Sequence, residues 1–164
     1  MKRFMLVSVM LTAALLATIC SGCESSSSPS SSSPTTSLPS TSNMLGTPVS
    51  VDGGTYWKLT PYQFRTFINS AGVFVVDVDE IYQGEISGTD KHFKASTIAD
   101  KLSEFPSNKD TRIAIYCATA THSPEVCTVL VQAGYTSVAE LSGGWAAWIQ
   151  QGYPPPTTNP DRVE

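Results

Sequence analysis

Between Pro48 and Pro155 the chain alternates short continuous apolar runs with stretches whose apolar residues recur every three or four positions. Val73-Phe74-Val75-Val76-Asp77-Val78 and Ile113-Ala114-Ile115-Tyr116 lack polar alternation, as expected of strands covered on both faces in a parallel sheet. Strands are therefore expected at Val73–Val78 and Arg112–Tyr116, with a third at Thr136–Leu141. Ahead of them, two short runs, Val49–Val51 and Thr55–Trp57, flank an Asp52-Gly53 turn and predict a hairpin.

Helices fill the intervals. Thr60-Pro61-Tyr62-Gln63 has capping-box spacing with proline at the first helical position, and Phe64, Phe67 and Ile68 follow on one face. A helix from about Pro61 to Asn69 follows from that, ended by Gly72. Others are expected over Ala95–Phe105, stopped by Pro106, over Ser123–Ala133 with Ser123 as cap, and over Trp145–Gln151 after the Gly143-Gly144 turn. Strands alternating with helices imply right-handed crossovers and an α/β fold of three layers, a mostly parallel central sheet covered by helices on both faces.

The first 47 residues have a different texture. Met1-Lys2-Arg3 is a basic start, Phe4–Ile19 an apolar run, and Ser21-Gly22-Cys23 a small-residue end, the pattern of an export signal too short for a comfortable membrane span. Ile19-Cys20-Ser21-Gly22-Cys23 resembles the lipobox of bacterial lipoproteins, although Cys20 stands where Leu is usual. The resemblance implies a signal peptide over 1–22, cleavage after Gly22 and lipidation of Cys23, hence attachment to a membrane in the bacterial cell envelope, periplasmic or outward-facing. From Glu24 to Asn43 the chain is almost wholly Ser, Thr and Pro and cannot bury enough apolar surface to offset ordering entropy. Residues 23–47 are expected to be a flexible tether, 48–155 the folded domain and 156–164 a disordered tail.

Charge and cysteine usage narrow the chemistry. The net charge is −4, and losing Lys2 and Arg3 with the signal makes it about −6; without a basic cluster, nucleic acid is not an expected partner. Removal of Cys20 and lipidation of Cys23 leave Cys117 and Cys127. Cys117 closes a buried strand and is followed by the small-residue loop Ala118-Thr119-Ala120-Thr121-His122 and a helix start at Ser123-Pro124. In such a place the thiol is expected to point at unpaired loop and first-turn amides, which favour thiolate. Cys127 falls on the apolar helix face with Leu130 and Val131 and is expected in the core, with a resolving thiol or a disulfide to Cys117 as the alternatives. His92 has no partner at metal-ligand spacing, so neither a metal nor any other cofactor is expected.

Val75-Val76-Asp77-Val78-Asp79-Glu80, Gly84-Glu85-Ile86-Ser87-Gly88, Gly134-Tyr135 followed by Val138 and Leu141, and Gly143-Gly144-Trp145-Ala146-Ala147-Trp148 follow one another at a characteristic spacing. On these pieces the chain resembles, over about Leu59 to Pro154, the rhodanese family of sulfurtransferases. The resemblance implies a rhodanese-like fold and persulfide chemistry. Cys117 would attack a small sulfur donor such as thiosulfate or a persulfide, keep the sulfur, and pass it to a thiol or cyanide-type acceptor. Ala118, Thr119, Ala120, Thr121, His122 and Ser123 would bind the substrate, and Asp77 and Glu80 would support the loop. Related phosphatases need Arg where Ser123 stands, which disfavours phosphoryl transfer.

The loop departs from active members of the family at three places: Ala118 replaces a common Arg, Ala120 a common Gly, and His122 the usual Arg. Arginine presents a permanently charged fork to an oxyanion, whereas histidine is only partly charged near neutrality. Asp79 stands where the family usually has Arg, and Glu85 where it has His. Weak thiosulfate turnover is expected, and Ala at a position favouring positive φ is expected to be strained. Two other readings stay open: a weak or inactive rhodanese-like module that binds or senses sulfur, and a thiol redox protein using Cys117 and Cys127.

Overall fold

The computed structural model describes residues 46–162, so the expected signal peptide, Cys23 and nearly all of the expected tether lie outside the described residues. The hairpin is β1, Thr47–Val51, and β2, Gly54–Leu59, paired antiparallel with Val51 opposite Gly54. Thr60 then caps α1, Pro61–Ile68, by the reciprocal capping box its sequence predicts: Thr60 N–H donates to Gln63 Oε1 at 2.9 Å, and Gln63 N–H donates to Thr60 Oγ1 at 3.4 Å. The remaining strands are β3, Val73–Asp77, the two-residue β4, Lys91–His92, β5, Arg112–Tyr116, and β6, Val138–Leu141. The helices α2, Ser123–Gln132, and α3, Gly144–Gln150, complete the set.

The six strands form one sheet in the order β1-β2-β6-β5-β3-β4, parallel except for the hairpin. Two-faced burial of β3 and β5 follows from helices on both sides. One face packs Val76, Ile113, Ile115 and Val138 against Val126, Leu130 and Val131 of α2 and against Ile98 and Phe105. The other packs Val75, Ala114, Tyr116, Ala139 and Leu141 against Phe64 of α1 and Trp148 of α3. Phe64 is fully buried and meets Tyr116 and Trp148 edge-on at 6.2 and 6.3 Å, and its burial contributes about 1.5–3 kcal/mol.

Two expected elements differ. Ala95–Glu104 is 3₁₀ rather than α-helical. Ile98 is its one buried residue, so packing imposes little, and the Thr97 hydroxyl donates to the Lys94 carbonyl at 3.0 Å in competition with an α-helical ladder. The segment read as a disordered tail beyond Pro155 is, as far as Arg162, laid against the domain. Glu85 and Thr157 exchange backbone hydrogen bonds at 2.9 and 3.0 Å, the Asn159 amide donates to the Tyr82 hydroxyl at 2.8 Å, and Arg162 Nε lies 2.7 Å from Glu85 Oε2. Its polar composition misled, because polar partners rather than apolar burial hold it.

Candidate functional site

In a parallel sheet the strands' carboxyl ends share one edge, and there β3, β5 and the start of α2 converge. Asp77 is paired with Tyr116 in register, Val78 N–H donates to Tyr116 O at 2.9 Å, and the two chains continue side by side into Asp79 and Cys117. Alternation along β5 sends Ile113, Ile115 and Cys117 toward α2 and sends Ala114 and Tyr116 the other way. The Cys117 side chain is therefore 0% exposed and packs in the α2-side core, not outward into the loop as expected. Its Sγ–H lies 3.9 Å from Ser123 Oγ, a long contact.

Ser123 is not the helix cap. His122 occupies the position before α2 without a capping side-chain bond, and Ser123, first residue of the helix and fully buried, turns its hydroxyl inward. Beside it stands Glu140, 1% exposed in the middle of β6, with Lys58 Nζ 3.2 Å from its Oε1. Burial raises the Glu140 pKa above the usual carboxylate range, against the opposing pull of Lys58 and the Ser123 hydroxyl. The same burial, together with Glu140 and Cys117, holds the Cys127 thiol well above its ordinary pKa. Cys127 is fully buried and both cysteines are free, so the core role expected of Cys127 matches its surroundings, and a resolving role does not.

The loop itself is held by a residue other than the two expected supports. Ala118 N–H donates to both carboxylate oxygens of Asp79, each at 3.0 Å, and Asp79 is 5% exposed. Asp77, fully buried, accepts the Asp79 amide on Oδ1 at 3.3 Å; its Oδ2 has no hydrogen-bond partner and lies 3.9 Å from His92 Nε2. Burial, and then the neighbouring Asp79 charge, push the Asp77 pKa up to about 8. Glu80 reaches Ser96 instead, accepting its N–H at 2.7 Å and its hydroxyl at 2.8 Å, which lowers the Glu80 pKa. His92 Nε2–H donates to the Asp79 carbonyl at 2.9 Å and so fixes the same turn from the β4 side.

The rest of the loop is open. Among the described residues, the amides of Thr119, Ala120, Thr121 and His122 donate to no protein acceptor. Thr119 and Thr121 hydrogen-bond to each other through their hydroxyls at 2.9 Å and are exposed. Ala120 has φ +56°, the strain its replacement of glycine predicts. His122 is partly buried, and its Nδ1 is buried with no hydrogen-bond partner. Trp145 N–H donates to the Ala118 carbonyl at 2.9 Å, and a Cβ on Gly144 would meet that oxygen at 2.5 Å and the Cys117 carbonyl at 2.6 Å.

The arrangement corrects two further expectations. Glu85 does not add free negative charge to the site, because Arg162 pairs with it and Asn159 Nδ2 donates to its Oε1 at 3.0 Å. The fold also assembles a group that spacing did not show: one ligand atom each of Asp79, Cys117 and His122 lies within 4.8 Å of the others. Linear spacing hid it because Asp79 comes from the end of β3 and the other two from the loop after β5. Glu140 had a legible signal, a lone carboxylate in the apolar run Val138-Ala139-Glu140-Leu141.

A cysteine at the carboxyl end of a central parallel strand, followed by a loop with open amides and a helix, defines an α/β thiol domain. The profile of the Rhodanese-like domain family matches residues 60–151, more than half of the chain, and the protein belongs to that family. A protein named sulfurtransferase from Allochromatium vinosum is 35% identical over 85 residues, covering 50% of this chain and 77% of its own. A rhodanese-related protein from Thermoplasma volcanium superposes with a TM-score of 0.51 at 24% identity, covering 59% of this chain and 94% of its own. The rhodanese-like domain of a protein from Anabaena sp. gives 0.53 at 22% identity, covering 65% and 83%. These two structures share the fold; the family and the sulfurtransferase relative support a sulfurtransferase-type function.

Proposed function

We propose that the protein is a rhodanese-type sulfurtransferase that carries sulfane sulfur on Cys117. The observation that carries this reading is the placement of Cys117 at the end of β5 with His122 and Asp79 close by and the loop amides beside it unpaired. His122 takes the thiol proton. The thiolate attacks the outer sulfur of a persulfide or thiosulfate donor, the donor's sulfur–sulfur bond breaks, and a thiolate or sulfite leaves with that electron pair. The persulfide on Cys117 then yields its outer sulfur to a thiolate or cyanide, and the Cys117 thiolate returns. The loop amides hold the charge on the outer sulfur. The Asp79 carboxyl group occupies the Ala118 amide, which is then not free for a donor anion, so a dianionic donor such as thiosulfate is turned over slowly.

Export and lipid attachment through Cys23 belong to the same proposal, on the strength of the signal and lipobox pattern; the serine and threonine segment would then set the reach from the membrane. Full burial of the thiol favours a second reading, a module that binds or senses sulfur without rapid turnover. A donor panel of alkyl persulfide and thiosulfate separates them. The transferase reading expects a one-sulfur mass increase on Cys117, multiple turnovers with acceptor present, and loss of at least roughly a hundredfold in Cys117→Ser. Single loading without turnover supports the sensing module, and full activity in the serine variant eliminates Cys117 as the carrier.

A further inference from the structure

The group Asp79, Cys117 and His122 has a donor set that suits a metal better than it suits a substrate anion. Its sulfur, imidazole nitrogen and carboxylate oxygen lie within 4.8 Å of one another. A zinc-like ion bonds sulfur at about 2.3 Å and nitrogen or oxygen at about 2.0–2.2 Å, so its ligands stand roughly 3–4 Å apart. Binding would draw the three from within 4.8 Å to that spacing by rotation of their side chains.

A further observation points the same way. His122 Nδ1 is buried and has no hydrogen-bond partner, a polar atom whose lost hydration the protein does not return. The supporting contacts are those a metal site requires, since Ala118 N–H orients the Asp79 carboxylate and His92 holds the Asp79 carbonyl.

The geometry points to a binding site for one divalent ion of the zinc class, held by Cys117 Sγ, one His122 ring nitrogen and one Asp79 oxygen, with water in the fourth position. One soft thiolate with an imidazole and a carboxylate selects a borderline ion over magnesium or calcium. The thiol gives up its proton to solvent as the metal–sulfur bond forms. The ion takes the lone pair that would attack a donor, so metal and sulfane sulfur exclude each other at Cys117.

Cobalt(II) is the probe. Titrating the reduced full chain with Co²⁺ is expected to give a sulfur-to-cobalt charge-transfer band in the near ultraviolet, with visible bands of tetrahedral intensity. Both should saturate at one equivalent and be displaced by Zn²⁺. Asp79→Asn keeps an acceptor for the Ala118 amide but removes the charge, and it should weaken Co²⁺ binding about tenfold or more, as should His122→Ala. Circular dichroism confirms that each variant is folded. Absence of the band in the wild-type chain, a band unchanged by His122→Ala, or one that persists in Cys117→Ser overturns the assignment. Sulfur loading of the metal-free chain is read separately by mass, so failure of the metal site and failure of sulfur transfer are told apart.

Discussion

Ala120 pays for its place in the loop with a left-handed backbone, φ +56°. That conformation costs an L-residue about 1–2 kcal/mol, and the extra freedom of glycine in the unfolded chain returns about 0.5–1 kcal/mol. Ala120→Gly is therefore expected to stabilise the domain by roughly 0.5–1 kcal/mol, seen as a higher urea midpoint at unchanged slope. A lower midpoint would mean that the methyl group has a packing role. Ala120 was legible in advance, since it stands where the family resemblance implies glycine. The role of Asp79 was not, because its grip on Ala118 exists only once β3 and β5 are in register.

Glu140 carries the pH dependence that can be isolated most cleanly. Its folded pKa lies above the unfolded value because burial disfavours the charge. Its contribution to stability is thus present below the ordinary glutamate pKa of about 4.3 and is lost as pH rises through the folded value. Glu140→Gln removes that titration. The stability of the wild-type chain relative to the variant should fall between mildly acidic and neutral pH in paired denaturation series, and a relative stability that rises over that window contradicts the assignment.

Among the elements, α3 holds the loop at its first carbonyls, as Asp79 holds it at the Ala118 amide. Gly144 is its first residue, and its missing side chain lets the Cys117 and Ala118 carbonyls rest on the helix start. Gly144→Ala meets backbone rather than a flexible side chain, and its φ of +58° adds strain. The expected cost exceeds about 2 kcal/mol, with loss of donor reactivity at Cys117 even below the melting transition. Thermal unfolding and the rate of thiol alkylation measure both, and an unshifted melting temperature would refute the packing argument.

Element type was legible wherever pattern and packing agree. The capping box of α1 and the bounds of β5 follow directly from Thr60-Pro61-Tyr62-Gln63 and from Arg112 to Tyr116. At Ser123 the same logic failed. A serine before proline has the chemistry of a cap, but the helix starts one residue earlier than that role requires, and the buried hydroxyl meets the Cys117 thiol in a long contact instead. Periodicity likewise could not tell a 3₁₀ segment from an α-helix at Ala95–Glu104, because so short a stretch with Ile98 buried and Leu102 partly buried against the same core fits either period.

At the level of the whole molecule, the layered α/β architecture was readable from β-branched runs alternating with helical periodicity. The ordered stretch from Pro156 to Arg162 was not, since no apolar pattern announces a strap made of polar contacts. Ending the chain after Pro155 removes the backbone bonds to Glu85, the Asn159 contacts and the Arg162 pair, and leaves Glu85 without its cation. A loss of roughly 2–4 kcal/mol is expected from chemical denaturation, with the sheet intact by circular dichroism. A truncated chain as stable as the full one would show that the strap rests on the surface without contributing.

The two rims of the sheet are both poor templates. One is β4, only two residues long, and the other is β1, where Pro48 deprives the ladder of a donor. Neither offers a stray strand a continuous row of partners. Many copies can therefore crowd together without zipping edge to edge, a property of value to any domain held at high local density.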